Sequence, residues 1–160
     1  MKEVKIETTL QVFDDLKELP EDVQNLMNKA SVARDKAYAP YSKFLVGAAI
    51  LLDNGEIITG SNQENASYPS GLCAERTAIY YAGAKYPKAK HLKMAIIAGS
   101  QTNPTTTPIP PCGACRQAIS EYEVKQDAPI ELYFMGETGK VVRSNSLANL
   151  LPFIFDKTVL

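Results

Sequence analysis

Three cysteines are the residues of this sequence whose types and spacing indicate chemistry. Cys112 and Cys115 form a Cys-x-x-Cys motif, and Cys73 is the remaining one. The i, i+3 spacing lets two thiolates converge on one point when the first lies at the start of a helix. A closed structural zinc site usually has four protein ligands, whereas three leave the fourth tetrahedral position for water. The cysteine count therefore predicts a catalytic zinc site.

A carboxylate lies beside the first of these cysteines. Glu75 follows Cys73 by two residues, which is too close for easy ligation of the same ion but suitable for reaching a water on that ion. That position is typical of a general acid or base. Two alternatives remain for the cysteines, a redox pair or buried small hydrophobic residues. The Cys-x-Glu pattern and the prolines before Cys112 favour the metal.

These motifs resemble those of a known family. Cys-Ala-Glu-Arg at 73–76 and Pro-Cys-Gly-Ala-Cys-Arg-Gln at 111–117 are similar to the zinc motifs of the small, homotetrameric cytidine deaminases. The similarity includes residues 41–44 and 62–69 and runs from about residue 26 to 155. Polynucleotide and nucleotide deaminases usually carry His in place of Cys73, so the resemblance is to the free-nucleoside branch.

The resemblance implies a function and a set of site residues. It implies hydrolytic deamination of cytidine and deoxycytidine to uridine and deoxyuridine, with release of ammonia, in pyrimidine salvage. It implies one zinc per chain, bound by the three cysteines, with Glu75 as the catalytic proton shuttle. Active sites shared between the subunits of a homotetramer follow from the family. The substrate-binding residues are implied to be Phe44, Asn62, Glu64, Tyr68, Ala74 and, from a neighbouring subunit, Phe155.

The charge of the predicted metal site requires compensation. Zinc with three thiolates has a formal charge of −1, so it should acidify water less well than zinc held by neutral imidazoles. Helix N-termini at Cys73 and Cys112 and the cations Arg76 and Arg116 could withdraw charge. In the family the arginine matching Arg76 hydrogen-bonds the ligand sulfurs. The alternative for both arginines is ion pairing at the surface.

Each substrate-binding assignment also has a structural alternative. Asn62 and Glu64 could be turn residues, and the aromatic residues could belong to the core. Two other functions stay open: a deaminase of the same architecture acting on another aminated base or nucleoside, such as a blasticidin-type nucleoside, and a non-enzymatic zinc-stabilised or redox protein. His91, the single histidine, has no partner at metal-ligand spacing and is predicted to lie at the surface.

Composition limits the possible partners and location. Seventeen Lys and Arg against eighteen Asp and Glu give a formal net charge of −1, so nucleic acid is not an expected partner. No stretch approaches the roughly 20 apolar residues of a membrane span, and no targeting segment is recognisable at the N-terminus. Three thiols intended for a metal need a reducing compartment. We therefore expect a cytoplasmic protein without membrane association.

The elements that must position these residues follow from periodicity. Alternation from Val4 to Val12 predicts an early strand or arm, and apolar residues at helical spacing predict a helix from Pro20 to about Ala39. We expect residues 1–20 to be an extension and residues 21–160 to form one domain. The predicted later elements are a hairpin at 44–58, a helix at 72–84, a strand at 92–98, a helix to about 123, strands at 130–135 and 140–143, and a short helix at 146–151.

The order of these elements predicts the fold class. Helices and strands alternate after the hairpin, which is typical of a mixed β-sheet covered by helices on both faces, an α/β fold in a three-layer α/β/α sandwich. Both metal motifs would then lie at helix starts beyond strand ends. The cytidine deaminase resemblance implies the same arrangement.

Overall fold

Six strands and three α-helices make up the fold in the computed structural model, which describes residues 1–160. The strands are β1 (Gln11–Phe13), β2 (Phe44–Leu52), β3 (Ile57–Ser61), β4 (His91–Ser100), β5 (Glu131–Met135) and β6 (Val141–Ser144). The helices are α1 (Glu21–Arg34), α2 (Ala74–Lys85) and α3 (Gly113–Gln126). None of these helices is long and apolar enough to cross a membrane.

The strands form a single mixed sheet in the order β1-β6-β5-β4-β2-β3. Only β4 and β5 pair in parallel, and the other neighbouring strands are antiparallel. A parallel pair needs a crossover connection, and α3 supplies it between β4 and β5. The tight turn between β2 and β3 contains Gly55 at φ 83°, a left-handed conformation that favours glycine.

Helices cover both faces of the sheet. Met94 and Ile96 of β4 pack in the cluster that contains α2 and α3 residues, whereas Ala95 and Ile97 pack in the cluster that contains α1 residues. A strand that is buried on both faces reads as a continuous apolar run, which explains the sequence of β4. The predicted three-layer α/β/α sandwich with a mixed sheet is confirmed.

Helix α1 ends earlier than predicted, at Arg34 and not at about Ala39. Tyr38 instead pairs with the segment after β3, because its N–H donates to the Asn62 carbonyl at 3.0 Å and its carbonyl accepts from the Glu64 N–H at 2.8 Å. These bonds link residues more than twenty positions apart, so a local helical pattern could not reveal them. They hold two predicted substrate-binding residues in place.

The N-terminal strand is shorter than the alternation of its residues predicts. Only residues 11–13 form β1, at the edge of the sheet, while residues 1–10 are exposed and lie outside regular structure. Leu19 is buried against the α1 side of the sheet, with Phe13 and Leu16 packed nearby. The boundary at residue 20 stays a prediction. Likewise, the helix predicted at 146–151 is a single 3₁₀ turn, Leu147–Asn149.

The prediction for His91 is wrong, because this residue is buried and not at the surface. Only 2% of its surface is exposed, and its ring packs 4.7 Å from the Tyr122 ring. The Gln126 side chain donates to the His91 carbonyl and accepts from its N–H, both at 2.9 Å. Since these partners lie on α3, their presence depends on tertiary packing. Burial lowers the pKa of His91.

Two glycines let helices approach the hairpin closely from opposite faces. A Cβ on Gly47 of β2 would collide with the α1 backbone at Ala30 and Arg34. A Cβ on Gly60 of β3 would lie 2.6 Å from the Ala74 carbonyl oxygen and 2.6 Å from the Ala78 nitrogen. Helix α2, which follows Cys73 and contains Glu75, can therefore lie this close to the sheet only because residue 60 has no side chain.

We expect Gly60→Ala to lower the free energy of unfolding by about 1–3 kcal/mol, since overpacking displaces helix backbone and not a flexible side chain. Chemical denaturation of purified protein measures this loss. Thr59→Ala is the matched control, because Thr59 is exposed on the same strand and its replacement should change stability by less than about 0.5 kcal/mol. Equal stability of the two variants would contradict the close approach of α2.

Candidate active site

The starts of α2 and α3 bring all three cysteines together. Cys73 immediately precedes α2, Cys112 immediately precedes α3, and Cys115 lies in the first turn of α3. Their sulfur atoms all lie within 4.8 Å of one another, and the Cys73 and Cys112 sulfurs are 3.8 Å apart. No other group of three potential metal-ligating side chains is found in the chain.

This sulfur geometry fits a tetrahedral zinc site. Zinc–sulfur bonds of about 2.3 Å at tetrahedral angles separate two sulfurs by about 3.8 Å, which matches the Cys73–Cys112 spacing. The same spacing is far too long for a disulfide of about 2.05 Å, and all three cysteines are free. The chain binds one zinc ion through a cluster of this kind, for which the three-cysteine donor set is well suited.

The Cys73 and Cys115 thiols interact with each other, and Arg76 adds positive charge beside them. A hydrogen bond from the Cys115 thiol, with a further contribution from Arg76, lowers the pKa of Cys73 to about 5. The same interaction and burial raise the pKa of Cys115. The Arg76 Nη2 lies 3.7 Å from the Cys73 sulfur, and the helix N-termini add partial positive charge. A thiolate is therefore already favoured at this point, and metal binding would displace the remaining protons.

Glu75 is one of four buried polar or charged residues in the protein, with 4% of its surface exposed. Burial raises the pKa of Glu75 to about 7, and negative charge on Cys73 adds to the increase. A carboxyl group with a pKa near neutrality can both accept and donate a proton at physiological pH. The position of Glu75 in the first turn of α2 therefore suits proton transfer.

A cavity of about 670 Å³ opens beside the cysteines and Glu75. Its lining combines residues from the metal motifs, from β2 and β4, and from the segment between β3 and α2. Of the predicted site residues, the cavity is lined by Phe44, Asn62, Glu64, Tyr68, Cys73, Glu75, Arg76 and Cys112. The structure thus brings most of the predicted site together around one space.

The carboxylate and amide predicted to bind the substrate are both anchored by backbone groups. Glu64 accepts hydrogen bonds through one oxygen, Oε2, from the N–H groups of Tyr41 at 2.9 Å and Ser42 at 3.3 Å. The Ser42 side chain, with these backbone hydrogen bonds as smaller contributions, lowers the pKa of Glu64. Asn62 accepts from the Val46 N–H at 2.8 Å and donates to the Phe44 carbonyl at 2.9 Å. Each side chain is fixed in place yet keeps hydrogen-bonding capacity for a ligand.

The remaining substrate-binding candidates occupy different positions around the cavity. Phe44 is half-buried in its wall, while Tyr68 is exposed near its mouth, 6.2 Å from the Tyr41 ring. Ala74 is fully buried and does not line the cavity, although its backbone N–H is in the first turn of α2 and so lacks a helical partner. Phe155 is exposed and lies outside the cavity of its own chain.

Arg116 makes no hydrogen bond to a cysteine sulfur. Its Nε donates to the Pro111 carbonyl and its Nη1 to the Leu150 carbonyl, both at 2.8 Å. It forms no surface ion pair either. Its position next to Cys115 in the sequence suggested a source of positive charge for the metal site, but the side chain bonds to the loop before α3 and to the C-terminal segment.

Several cavity residues were not identified from the sequence. The loop before Cys112 contributes Ile109 and Pro110, and the central strands contribute Val46, Ile96 and Ala98. The length of that loop was the available signal for the first two. Glu137, in the turn after β5, holds the same loop by accepting from the Thr105 N–H at 3.2 Å and pairing with Arg34. Nothing local in the sequence indicates this long-range anchor.

Comparison with known proteins identifies the family. The profile of the cytidine and deoxycytidylate deaminase zinc-binding region matches residues 20–127. The chain is 40% identical to a cytidine deaminase of Halalkalibacterium halodurans, over 84% of this chain and 94% of that protein. It is also 40% identical to a cytidine deaminase of Sporosarcina psychrophila, over 85% of this chain and 93% of that protein.

A solved structure shares the fold as well as the sequence similarity. The crystal structure of cytidine deaminase from Burkholderia pseudomallei superposes with a TM-score of 0.71 at 36% identity, covering 86% of this chain and all of that one. The Mycobacterium tuberculosis enzyme gives a TM-score of 0.65 at 30% identity, covering 85% of this chain and 98% of that one. Together with the three-cysteine site and its buried glutamate, these similarities show that the chain belongs to the zinc-dependent cytidine deaminase family.

Proposed function

We propose that the protein deaminates cytidine and deoxycytidine to uridine and deoxyuridine by hydrolysis, releasing ammonia. The observation that carries this proposal is the buried Glu75 carboxyl beside three converging thiols, at a cavity that also exposes Asn62 and Glu64. A redox or purely structural cysteine cluster has no need for a buried acid of this kind. The 40% identity to cytidine deaminases over most of the chain supports the same activity.

Cys73, Cys112 and Cys115 would hold the zinc ion in this function. When bound, zinc supplies Lewis-acid activation of a water molecule for attack on carbon 4 of the cytosine ring. Arg76 would counter the excess negative charge of three thiolates through its contact with the Cys73 sulfur. With part of the negative charge on the sulfurs neutralised, the zinc ion stays electron-poor enough to activate water.

Glu75 would move the protons that the reaction requires. Its carboxylate accepts a proton from the attacking water and delivers it to ring nitrogen 3, which makes carbon 4 more electrophilic. A second proton, from the hydroxyl group then attached to carbon 4, passes through Glu75 to the exocyclic amine. The carbon–nitrogen bond breaks as the carbonyl of the product forms, and ammonia leaves. Burial of Glu75 excludes bulk water from both transfers. It also raises the pKa of the carboxyl to about 7, so that the group can accept and then release a proton near neutral pH.

The cavity offers the groups that a nucleoside needs. Glu64 and Asn62 would bind the ribose hydroxyls, since a carboxylate accepts from an alcohol and an amide both donates and accepts. Phe44 would pack against the base, Tyr68 would border the sugar, and the backbone at Ala74 would meet the base carbonyl. Another aminated nucleoside, such as a blasticidin-type compound, is the second candidate substrate, but the cytidine deaminase relatives favour the first.

We further propose a cytoplasmic homotetramer in which Phe155 completes the site of a neighbouring subunit. Phe155 and Phe153 are both exposed, and neither lines the cavity of its own chain. An aromatic group from another subunit would cover the cavity and exclude water from proton transfer. The cytoplasm follows from the need to keep three free thiols reduced.

The activity is tested with the natural substrates and one isosteric variant. Loss of ultraviolet absorbance should reveal turnover of cytidine and deoxycytidine by the wild-type protein. Glu75→Gln should retain one zinc per chain by elemental analysis but lose about 10²–10⁴-fold in turnover, because an amide cannot carry the proton. Absence of activity on both nucleosides, with blasticidin-type nucleosides or adenosine turned over instead, would contradict the proposed substrate. Near-normal turnover by the variant would exclude Glu75 as the proton shuttle.

The raised pKa of Glu75 also predicts how the zinc-free protein responds to pH. The pKa rises from 4.5 to about 7 on folding, so the destabilisation from burying the ionised group is absent below about pH 4.5, grows through this range and is complete above pH 7. Removing the charge should therefore increase the free energy of unfolding most at high pH. We expect the stability of zinc-free Glu75→Gln relative to wild type to increase by about 2 kcal/mol between pH 5 and pH 8.

Urea denaturation of chelator-treated protein at both pH values measures this difference. Glu121→Gln, which removes an exposed carboxylate on α3, is the matched control and should show no such dependence. A pH-independent difference between wild type and Glu75→Gln would show that burial does not perturb this carboxyl.

Shared sites are tested by mixing inactive chains. Phe155→Ala chains should form tetramers with weak activity, and Glu75→Ala chains should form tetramers with none. In hybrids, some sites would combine Glu75 from one chain with Phe155 from another, so activity should exceed the sum of the parents. Hybrids of verified composition that show only the parental average, or an active monomer by light scattering, would contradict the action of Phe155 on a neighbouring site.

A further inference from the structure

The two residues that follow Cys115, Arg116 and Gln117, both direct their side chains to residues 150–160, the C-terminal segment. The Gln117 Nε2 donates to the Phe155 carbonyl at 2.7 Å. The Arg116 Nη1 donates to the Leu150 carbonyl at 2.8 Å. Both donors lie in the first turns of α3, immediately after a metal-site cysteine. The C-terminal segment is thus attached to the helix that helps to form the zinc site.

Arg116 makes a second contact that reaches the other cysteine of the motif. Its Nε donates to the carbonyl of Pro111, the residue before Cys112, at 2.8 Å. One planar guanidinium therefore joins the end of the loop before α3 to the residue that begins the C-terminal segment. A lysine ammonium could not span both carbonyls in this way, because it lacks the rigid fork of donors.

The middle of the C-terminal segment has few other hydrogen bonds to hold its backbone. Residues 152–156 belong to no helix or strand, and none of their backbone N–H groups donates to a backbone carbonyl. Phe153 and Phe155 are exposed, and Ile154 between them is half-buried. Ile154 is thus the one apolar side chain of residues 152–156 that packs against the domain. The hydrogen bond from Gln117 to the Phe155 carbonyl is therefore the main restraint on the backbone of Phe155.

We propose that Gln117 and Arg116 are positioning residues that tie the C-terminal aromatic segment to the zinc-binding turn. Gln117 sets the position of Phe155, and Arg116 sets both the start of the segment and the backbone before Cys112. The metal site of one subunit and the aromatic group that covers the next subunit's cavity are then held by one stretch of chain. The catalytic consequence rests on the proposed function, whereas the anchoring itself does not.

Limited proteolysis tests the anchoring independently of catalysis, because chymotrypsin cleaves after Phe153 and Phe155 and needs the segment to leave its position on the domain. Gln117→Leu keeps the approximate size of the side chain but removes the donor, and Glu121→Gln one turn later on α3 is the control, since Glu121 is exposed and makes no hydrogen bond through its side chain. We expect Gln117→Leu to bind one zinc per chain and to be cleaved faster after Phe153 and Phe155, while the control matches wild type. Unchanged cleavage of Gln117→Leu would overturn the proposal.

A double-mutant cycle tests whether Gln117 acts through Phe155. Gln117→Leu alone should lower kcat/KM by roughly two- to twelvefold, the usual worth of one hydrogen bond, mainly through a lower kcat, because Phe155 would exclude water from the proton transfers. The same substitution made in Phe155→Ala protein should cause no further loss, because the group it positions is already absent. Additive losses would overturn the positioning role and assign Gln117 a general structural one.

The outcomes separate this proposal from the proposed function. A wild-type protein that turns over no cytidine contradicts the function, and the rate of chymotrypsin cleavage after Phe153 and Phe155 then judges the anchoring alone. Arg116→Lys supplies a second measurement, since losing the bridge to Pro111 should also speed zinc release to a chromophoric chelator. Wild-type release rates in Arg116→Lys would overturn the link between the segment and the zinc-binding turn.

Discussion

The convergence of acidic groups in one partly buried volume is the constraint on which the rest of the site depends. Three thiols and the Glu75 carboxyl can each carry negative charge, and like charges held together in a low-dielectric region repel strongly. Burial raises the pKa of Glu75, and negative charge on Cys73 adds to the increase, while the hydrogen bond between the Cys115 and Cys73 thiols lowers the pKa of Cys73 and raises that of Cys115. A dication would relieve this repulsion, so zinc binding should stabilise the folded protein.

The fold provides two further sources of positive potential for this cluster. The starts of α2 and α3 point at the same place, and Arg76 adds a full charge from the first turn of α2. This arrangement requires α2 to lie close to the sheet, which Gly60 permits. The packing of one small residue and the electrostatics of the metal site are therefore linked.

Much of the molecule could be predicted from short-range patterns. The Cys-x-Glu and Cys-x-x-Cys motifs identified the ligands that the structure brings together, and the alternation of elements identified the layered sheet. Predictions failed where a residue's partner lies far away in sequence. Tyr38 leaves the helical pattern to pair with Asn62 and Glu64, and His91 is buried by Tyr122 and Gln126 of α3.

The sequence by itself determined the chemistry, because ligand type, ligand number and the Cys-x-Glu spacing are local properties. It also determined where the central strands and helices lie, since their hydrophobic periodicity is read within a few residues, but not where α1 ends or how short β1 is. Only the tertiary structure decided where side chains without a local pattern point. Arg116 bonds to two carbonyls and not to sulfur, and Gln117 holds Phe155, because both partners arrive through the path of the chain beyond β6. Burial of Glu75, and hence its pKa, likewise depends on packing between α2 and the sheet.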